Sequence, residues 1–426
     1  MKIRVTYGRD GLDVDVPDGA RIIEPLESTP LRDELGAFRE AVRAPRSAPA
    51  LRELVGSHER VVIVTSDVTR ATPNERLIPW ILDELGHVPA EQITVIVGTG
   101  SHRATTGAEM EAMFGRATLE RVRVVDHDAH DPTQVVRLGT TSLGADVFLN
   151  GDYVRADKRI CVGFIEPHLY AGFSGGPKGI MPGVAGIDTV KFFHNAKMVG
   201  DPNSRWLNLE NNPIQAMARE VAAMAPPHFL VNVTLDGRKN ITGFFCGHYL
   251  TAHQAGMDFC KRQSATPVPH RYDVVLSTNG GYPLDQNLYQ CGKGLSAAMQ
   301  IVKPGGTIVM CAELSDGLPD HGNFKDILRA RETPEALLAM IEGPDYSVYD
   351  QWAAQSQAMI LLHAKVELYS TLPDEVVESA MLVPTHDPTR ALREALAAAG
   401  PHATCAVLPH GPYVVPYIET EPVTAV

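Results

Sequence analysis

His168, Lys178 and His194 stand within residues 163–195, a stretch that also holds seven glycines and three prolines. Glycine at that density lets backbone N–H groups come close to an anion and supplies left-handed turns. Ser174, Gly175 and Gly176 are therefore candidates to cradle a phosphate, although a tight connection without a ligand would look similar. Lys178 lies inside the loop, where a merely solubilising lysine is an odd choice. It could ligate the phosphate or anchor a cofactor covalently, with pyridoxal phosphate as the first chemistry to consider. His194 follows Phe192 and Phe193, and a histidine in such company is commonly a satisfied core residue. If it binds a metal, a cofactor must bring the remaining donors, because no Cys or His cluster stands near it. Square-planar Ni(II) suits an imidazole joined to a planar ligand with soft sulfur.

His102 and His168 are candidates for a pair that exchanges proton-donor and proton-acceptor roles across a substrate. Two unrelated loop histidines among the 16 are the bland alternative. Arg70 offers a bidentate fork, and Lys293 a point charge near a helix start, so together they could clamp a carboxylate. The run Asp126 to Asp131 resembles a metal cluster by composition but reads as a solvated turn.

These residues need elements to hold them. Val61 to Thr65, Ile93 to Val97 and Ile160 to Ile165 are apolar, β-branched runs of the kind buried on both sheet faces. Each delivers polar residues at its C-terminal end: Asp67 and Arg70, then His102, then His168. In a parallel α/β sheet those ends line one crevice, where such folds bind ligands. Pro73 suits the first turn of a helix reaching about Leu85, and Thr106 with Glu109 forms a capping box. Ile3 to Tyr7 and Leu12 to Val16 alternate around a turn at Gly8 to Gly11 and predict an opening hairpin. Residues 265–270 read as a linker. Beyond it, a strand over 272–277, a helix over 287–302, a strand over 307–311 and helices over 349–366 and 388–399 predict a second α/β domain. The expected fold is thus two α/β domains with mostly parallel sheets and the site in the crevice between them. Residues 1–268 form the cofactor-binding domain and 269–426 a second domain that contributes to substrate binding, its last residues able to pack back on the first.

With 44% hydrophobic and 21% charged residues, 36 Gly and 31 Pro, composition excludes a disordered tail, a collagen-like fibre and a coiled coil. The 38 Lys and Arg against 51 Asp and Glu leave a net charge of −13. That surface repels nucleic acid and anionic lipid, so neither is an expected partner. Six scattered cysteines without a C-x-x-C pair predict buried free thiols rather than zinc or disulfides. The N-terminus lacks the apolar stretch of a signal peptide, and no apolar run approaches the roughly 20 residues of a membrane span. A soluble, cytoplasmic protein is the expectation.

Taken together, SDVTRATP (66–73), GTGSHRATT (98–106), GFIEPHLYAGFSGGPKGIMPG (163–183) and FFHN (192–195) resemble the nickel-dependent lactate racemase family. NLYQCGKG (287–294) and DQW (350–352) extend the resemblance into the second domain. It implies a nickel-pincer nucleotide, a pyridinium mononucleotide that holds Ni(II) through two sulfurs and a ring carbon. By the same resemblance, Lys178 bonds the cofactor through a thioamide and His194 completes the nickel plane. His102 and His168 match the acid/base pair, and Arg70 with Lys293 the carboxylate clamp. Asp67, with Ser174, Gly175 and Gly176, falls on the cofactor side of the site; Tyr170, Tyr289, Gln290 and Trp352 fall on the substrate side. The implied reaction moves hydride from the substrate α-carbon to the cofactor and back to the opposite face. Two departures stand out: Pro177 where a basic residue is frequent, and Leu169-Tyr170 where aromatic pairs are common.

The resemblance implies lactate or a related 2-hydroxy acid as substrate. Malate, longer or aromatic 2-hydroxy acids and sugar acids are the alternatives within the family. A pyridoxal-phosphate enzyme using Lys178 and a non-catalytic anion-binding module are the alternatives outside it. The implied partners are the small acid itself and the enzymes that build the cofactor, with a homo-oligomer left open.

Overall fold

A computed structural model describes residues 1–26, 29–319 and 322–419. The chain opens with the hairpin β1 (Lys2–Val5) and β2 (Leu12–Asp15), followed by the short β3 (Arg21–Ile22). Next come β4 (Val61–Ser66), β5 (Ile93–Gly98) and β6 (Arg123–Asp126), then the antiparallel pair β7 (Val135–Thr140) and β8 (Asp146–Asn150). β9 (Lys158–Phe164) leads into a two-residue ribbon, β10 (Pro167–His168) with β11 (Gly172–Phe173). β12 (Phe229–Leu235) and β13 (Ile241–Gly247) complete a six-stranded sheet in the order β13-β12-β9-β4-β5-β6. All its pairings are parallel except β12 with β13.

Strand alternation gives this sheet two buried faces, as expected of a parallel sheet between helices. Val61, Ile63, Val95, Val97 and Ile160 pack on one side with Phe38, Leu77 and Ile81. Val62, Val64, Ile96 and Cys161 pack on the other with Met217, Val221 and Met257. The chain runs from β4 through β5 to β6 on one side and then places β9 on the other side of β4. The strand order thus reverses between β4 and β9, and the crevice at their carboxyl ends is where such sheets take ligands.

The second sheet uses β15 (Tyr272–Thr278), β16 (Val302–Cys311), β17 (Lys365–Tyr369), β18 (Val383–Thr385) and β19 (Cys405–Leu408), with β14 (Ala265–Val268) and β20 (Val415–Ile418) forming a separate parallel pair. Its order is β18-β17-β16-β15-β19-β3, all parallel. Two findings differ from the sequence expectation. Residues 265–268 are a strand rather than a linker, because β20 returns to pair with them. The N-terminal segment also crosses over: β3 extends the second sheet, and Val5, Val14 and Val16 share a core with Val274, Leu276, Val309 and Val407. A hairpin pattern reports local pairing and carries no information about which sheet will cover its apolar face. Residues 420–426, part of the tail expected to pack back on the first domain, lie outside the described residues.

The second sheet has its own reversal, between β15 and β19, but the chain itself fills that crevice. Thr6 N–H donates to the Pro409 carbonyl at 2.9 Å, and Gly8 N–H to Asp285 at 2.7 Å. Among the described residues, no helix is long and apolar enough to cross a membrane. All six cysteines are buried free thiols, as the sequence led us to expect.

Candidate active site

Every residue expected from the sequence to act in catalysis or to bind cofactor, metal or substrate reaches one cleft between the two sheets. Asp67, Arg70, His102, His168, Tyr170, Ser174, Gly175, Gly176, Lys178 and His194 line it from the first sheet and its loops. Tyr289, Gln290, Lys293 and Trp352 line it from the second.

Local structure explains each placement. Asp67 and Arg70 follow β4 in the turn before helix Asn74–Glu84. His102 follows β5, on a loop that ends at a Thr106–Glu109 capping box. Gly176–Gly179 forms one 3₁₀ turn with Pro177 in its first positions, and this turn presents Lys178. Gly176 has φ +52°, and a Cβ there would lie 2.4 Å from the His253 ring, so both conformation and packing demand glycine. His194 caps helix Ile187–Phe193. In the second domain, helix Leu288–Met299 lies so close to β15 that a Cβ on Gly294 would meet the Thr278 carbonyl at 2.1 Å. That close approach sets the position of Lys293 next to it. Helix Gln351–His363 starts after Asp350, which has φ +72°, and carries Trp352 over the His194 ring at 4.6 Å between centroids.

The two histidines are wired differently. His102 Nδ1 lies 2.7 Å from the Asp67 carboxylate, so Nδ1–H donates to it and Nε2 is left as an acceptor facing the cleft. Burial tends to raise the Asp67 carboxyl. The charge and hydrogen bond of His102, with help from Arg70 and the Thr69 hydroxyl, outweigh that and hold it below the usual carboxylate value. His168 accepts at Nδ1 from the backbone N–H groups of Tyr170 and Ala171, at 3.1 and 3.2 Å. Its proton therefore sits on Nε2, which lies 2.8 Å from Lys178 Nζ. Burial, and then the neighbouring basic groups Lys178, Arg70 and Lys293, push His168 well below its ordinary value, so it stays neutral.

Three basic groups, Arg70, Lys178 and Lys293, converge in the cleft on few carboxylates. Arg70 Nε stands 3.7 Å from Glu166, too far for a hydrogen bond. The Lys293 ammonium is buried with no hydrogen-bond partner among the described residues. Burial and the Arg70 charge push Lys293 down to about 7. Such an orphaned buried cation marks the place of an anion. His194 Nδ1 donates to the Val190 carbonyl at 3.2 Å, and burial pushes this imidazole down to about 3. Its Nε2 lone pair thus stays available to a metal. Of the N–H groups expected to face a phosphate, those of Ser174 and Gly176 are engaged inside the chain, by the Glu166 carbonyl and by Asn232. The Ser174-Gly175-Gly176 turn shapes the wall and delivers Lys178.

Comparison with known proteins now decides the family. Residues 7–207 match the lactate racemase N-terminal domain and residues 268–415 the lactate racemase C-terminal domain. The chain is 33% identical to a lactate racemase of Thermoanaerobacterium thermosaccharolyticum, over 97% of this chain and 98% of that protein. It is 37% identical to a lactate racemase of Lactiplantibacillus plantarum, over 86% and 87%. The chain belongs to the lactate racemase family. The solved structure of the lactate racemase apoprotein from T. thermosaccharolyticum superimposes with a TM-score of 0.90, covering 98% of this chain and all of that one. A Thermotoga maritima protein of 17% identity matches with a TM-score of 0.71 over 92% of this chain, a likeness of fold alone.

Within this lactate racemase fold, several site residues escaped the sequence analysis. Glu166 faces Arg70, and its only signal was a charge directly after a buried strand. Ser356 bonds the Tyr170 hydroxyl from one helical turn beyond Trp352, a spacing that could have suggested it. Tyr349 donates from its hydroxyl to the Ser101 carbonyl, joining the second domain to the loop that carries His102. Nothing local in the sequence indicates that contact. His127, in the run expected to be a solvated turn, is buried instead and bonds the Ala185 carbonyl at 2.9 Å.

Proposed function

We propose that this chain interconverts the enantiomers of lactate or a close 2-hydroxy acid, using a nickel-pincer nucleotide bonded to Lys178. The observation that carries this reading is the meeting of two oppositely wired histidines with an orphaned buried cation in one cleft. The residues fit the cofactor. A neutral imidazole with a free lone pair at His194 suits a metal bound mainly by other donors. Lys178 lies at hydrogen-bond distance from His168 in a cleft short of anions. When bound, the cofactor supplies the electrophilic ring carbon that accepts and returns a hydride.

The chain's own groups do the rest. Arg70 and Lys293, one from each domain, hold the substrate carboxylate and fix a pivot. His102 Nε2 takes the hydroxyl proton, and Asp67 keeps its tautomer and stabilises the imidazolium that forms. His168 faces the same cleft with its Nε2–H, a hydrogen-bond donor for the substrate oxygen. Trp352 covers the His194 face, and its indole N–H bonds the Tyr289 hydroxyl at 2.7 Å, which narrows access for water. The Tyr170 hydroxyl bonds Ser356 and the Trp352 carbonyl, so that wall of the substrate pocket offers a ring rather than a free donor.

A panel of single-enantiomer 2-hydroxy acids tests this, incubated with protein loaded by the cofactor-building enzymes and scored by chiral chromatography. Racemisation of lactate is expected, with nickel retained on the protein. A nickel-loaded chain that interconverts no member of the panel would overturn the reading.

A further inference from the structure

We propose that, before any cofactor is attached, Lys178 rests as an uncharged amine pinned by the Nε2–H of His168, which makes the free chain a pre-activated acceptor for an anionic acylating ligand. This goes beyond the racemase reading, and rests on it only in taking Lys178 as the point of attachment.

Backbone N–H groups are fixed donors, and two of them, from Tyr170 and Ala171, point at His168 Nδ1. A hydrogen on Nδ1 would collide with both, which excludes the Nδ1–H tautomer and the imidazolium alike. The neutral ring therefore carries its proton on Nε2. That nitrogen lies 2.8 Å from Lys178 Nζ, and two facing donors at this distance would repel. The contact is favourable only if Nε2–H donates into the lone pair of an uncharged amine. His168 is then a positioning residue for Lys178, and the Tyr170 and Ala171 amides set its tautomer.

The surroundings agree with the geometry. Burial disfavours the ammonium form of Lys178, and Arg70 and Lys293 add like charge; Glu166 opposes them more weakly. The cationic groups that repel a proton from Lys178 also attract an anion, so the cleft concentrates the ligand that the amine would attack. His168 thereby has two successive partners for one Nε2–H: the lysine first, and the substrate once Lys178 is bonded elsewhere.

The test uses the cofactor-free full-length chain and the N-hydroxysulfosuccinimide ester of acetic acid, an anionic acylating probe. The Nζ lone pair bonds the acyl carbon, and the acyl–oxygen bond breaks. Its electron pair leaves with the N-hydroxysulfosuccinimide anion, and the surplus proton goes to water. Acetylation of Lys178 is compared with that of exposed Lys2 in the same sample by peptide mass mapping, from pH 6.5 to 8.5. An ordinary ammonium gains free amine tenfold per pH unit below its pKa. An amine that is already uncharged gains none, so the Lys178-to-Lys2 ratio should fall about a hundredfold across the range. A constant ratio overturns the inference. In His168→Ala the fall should shrink to tenfold or less. An unchanged hundredfold fall in that variant would remove His168 from the assignment, and a variant that does not fold leaves the wild-type ratio to decide. Labelling as expected in a chain that racemises nothing after loading would overturn the racemase reading alone. Racemisation by a chain with a constant ratio would overturn this inference alone.

Discussion

At the residue scale, the site depends on where a few protons and charges sit. Asp67 selects the tautomer of His102. Asp67→Asn keeps the shape but no longer favours a proton on Nδ1, so kcat should fall roughly 10²- to 10⁴-fold, the range of a lost general base. Initial rates from each lactate enantiomer check this, and a change under threefold would remove Asp67 from its role. Lys293 supplies a pH dependence whose sign follows from its burial. With the free group at about 7, the ammonium persists below that pH and is lost above it. In the proposed site the substrate carboxylate binds this ammonium, so the affinity of the loaded enzyme for lactate should weaken as pH climbs past 7. In Lys293→Arg that dependence should flatten, because guanidinium stays charged. Calorimetric titration between pH 6 and 9 measures both. The histidines and Lys178 were legible in sequence as chemistry-bearing types, but their protonation was not. Backbone N–H groups of Tyr170 and Ala171 decide it for His168, and their aim is a property of the folded turn.

At the element scale, short segments act as brackets. The 3₁₀ turn at Gly176–Gly179 holds Lys178 because Gly176 accepts a left-handed conformation hard against His253. Gly176→Ala should destabilise the fold by about 2 kcal/mol or more, combining strain and overpacking. Urea unfolding with an unchanged slope checks it, and a loss below 0.5 kcal/mol would contradict the crowding. Strands β4, β5 and β9 were legible because unbroken apolar runs have few alternatives when both faces are buried. Helix 388–399 was legible to its bounds, with Asp387 as its cap and Pro388 in its first turn. By contrast, β14 read as a linker. Its Thr and Pro residues form a strand only because β20, about 150 residues away, offers it a partner.

At the scale of the whole molecule, the two sheets share one cleft and the first eight residues close the other. With Thr6 and Gly8 in the crevice of the second sheet, ligand binding is left to the reversal between β4 and β9. Val5, Val14 and Val16 are buried against that second sheet. Removing residues 1–18 should therefore cost roughly 4 kcal/mol or more of stability, at about 1.5 kcal/mol or more per buried valine. Thermal unfolding checks it, and an unshifted midpoint would show that the hairpin adds nothing. In the proposed site neither domain suffices for chemistry. Arg70 lies on the first and Lys293 on the second, and Tyr349 ties the second to the His102 loop through Ser101.

The sequence by itself determined the residue types, the parallel strands that deliver them and, through six spaced motifs, the family. Those signals are local: periodicity, capping and strand-end chemistry each need only a few neighbouring residues. Tertiary structure decided which groups meet across long separations: Lys293 with Arg70, Trp352 with His194, and the N-terminal hairpin with the second sheet. It also decided charge. A chain of net charge −13 encloses a cleft in which the Lys178 and Lys293 amines are pushed toward their neutral forms, because burial and like neighbours act through space and not along the sequence.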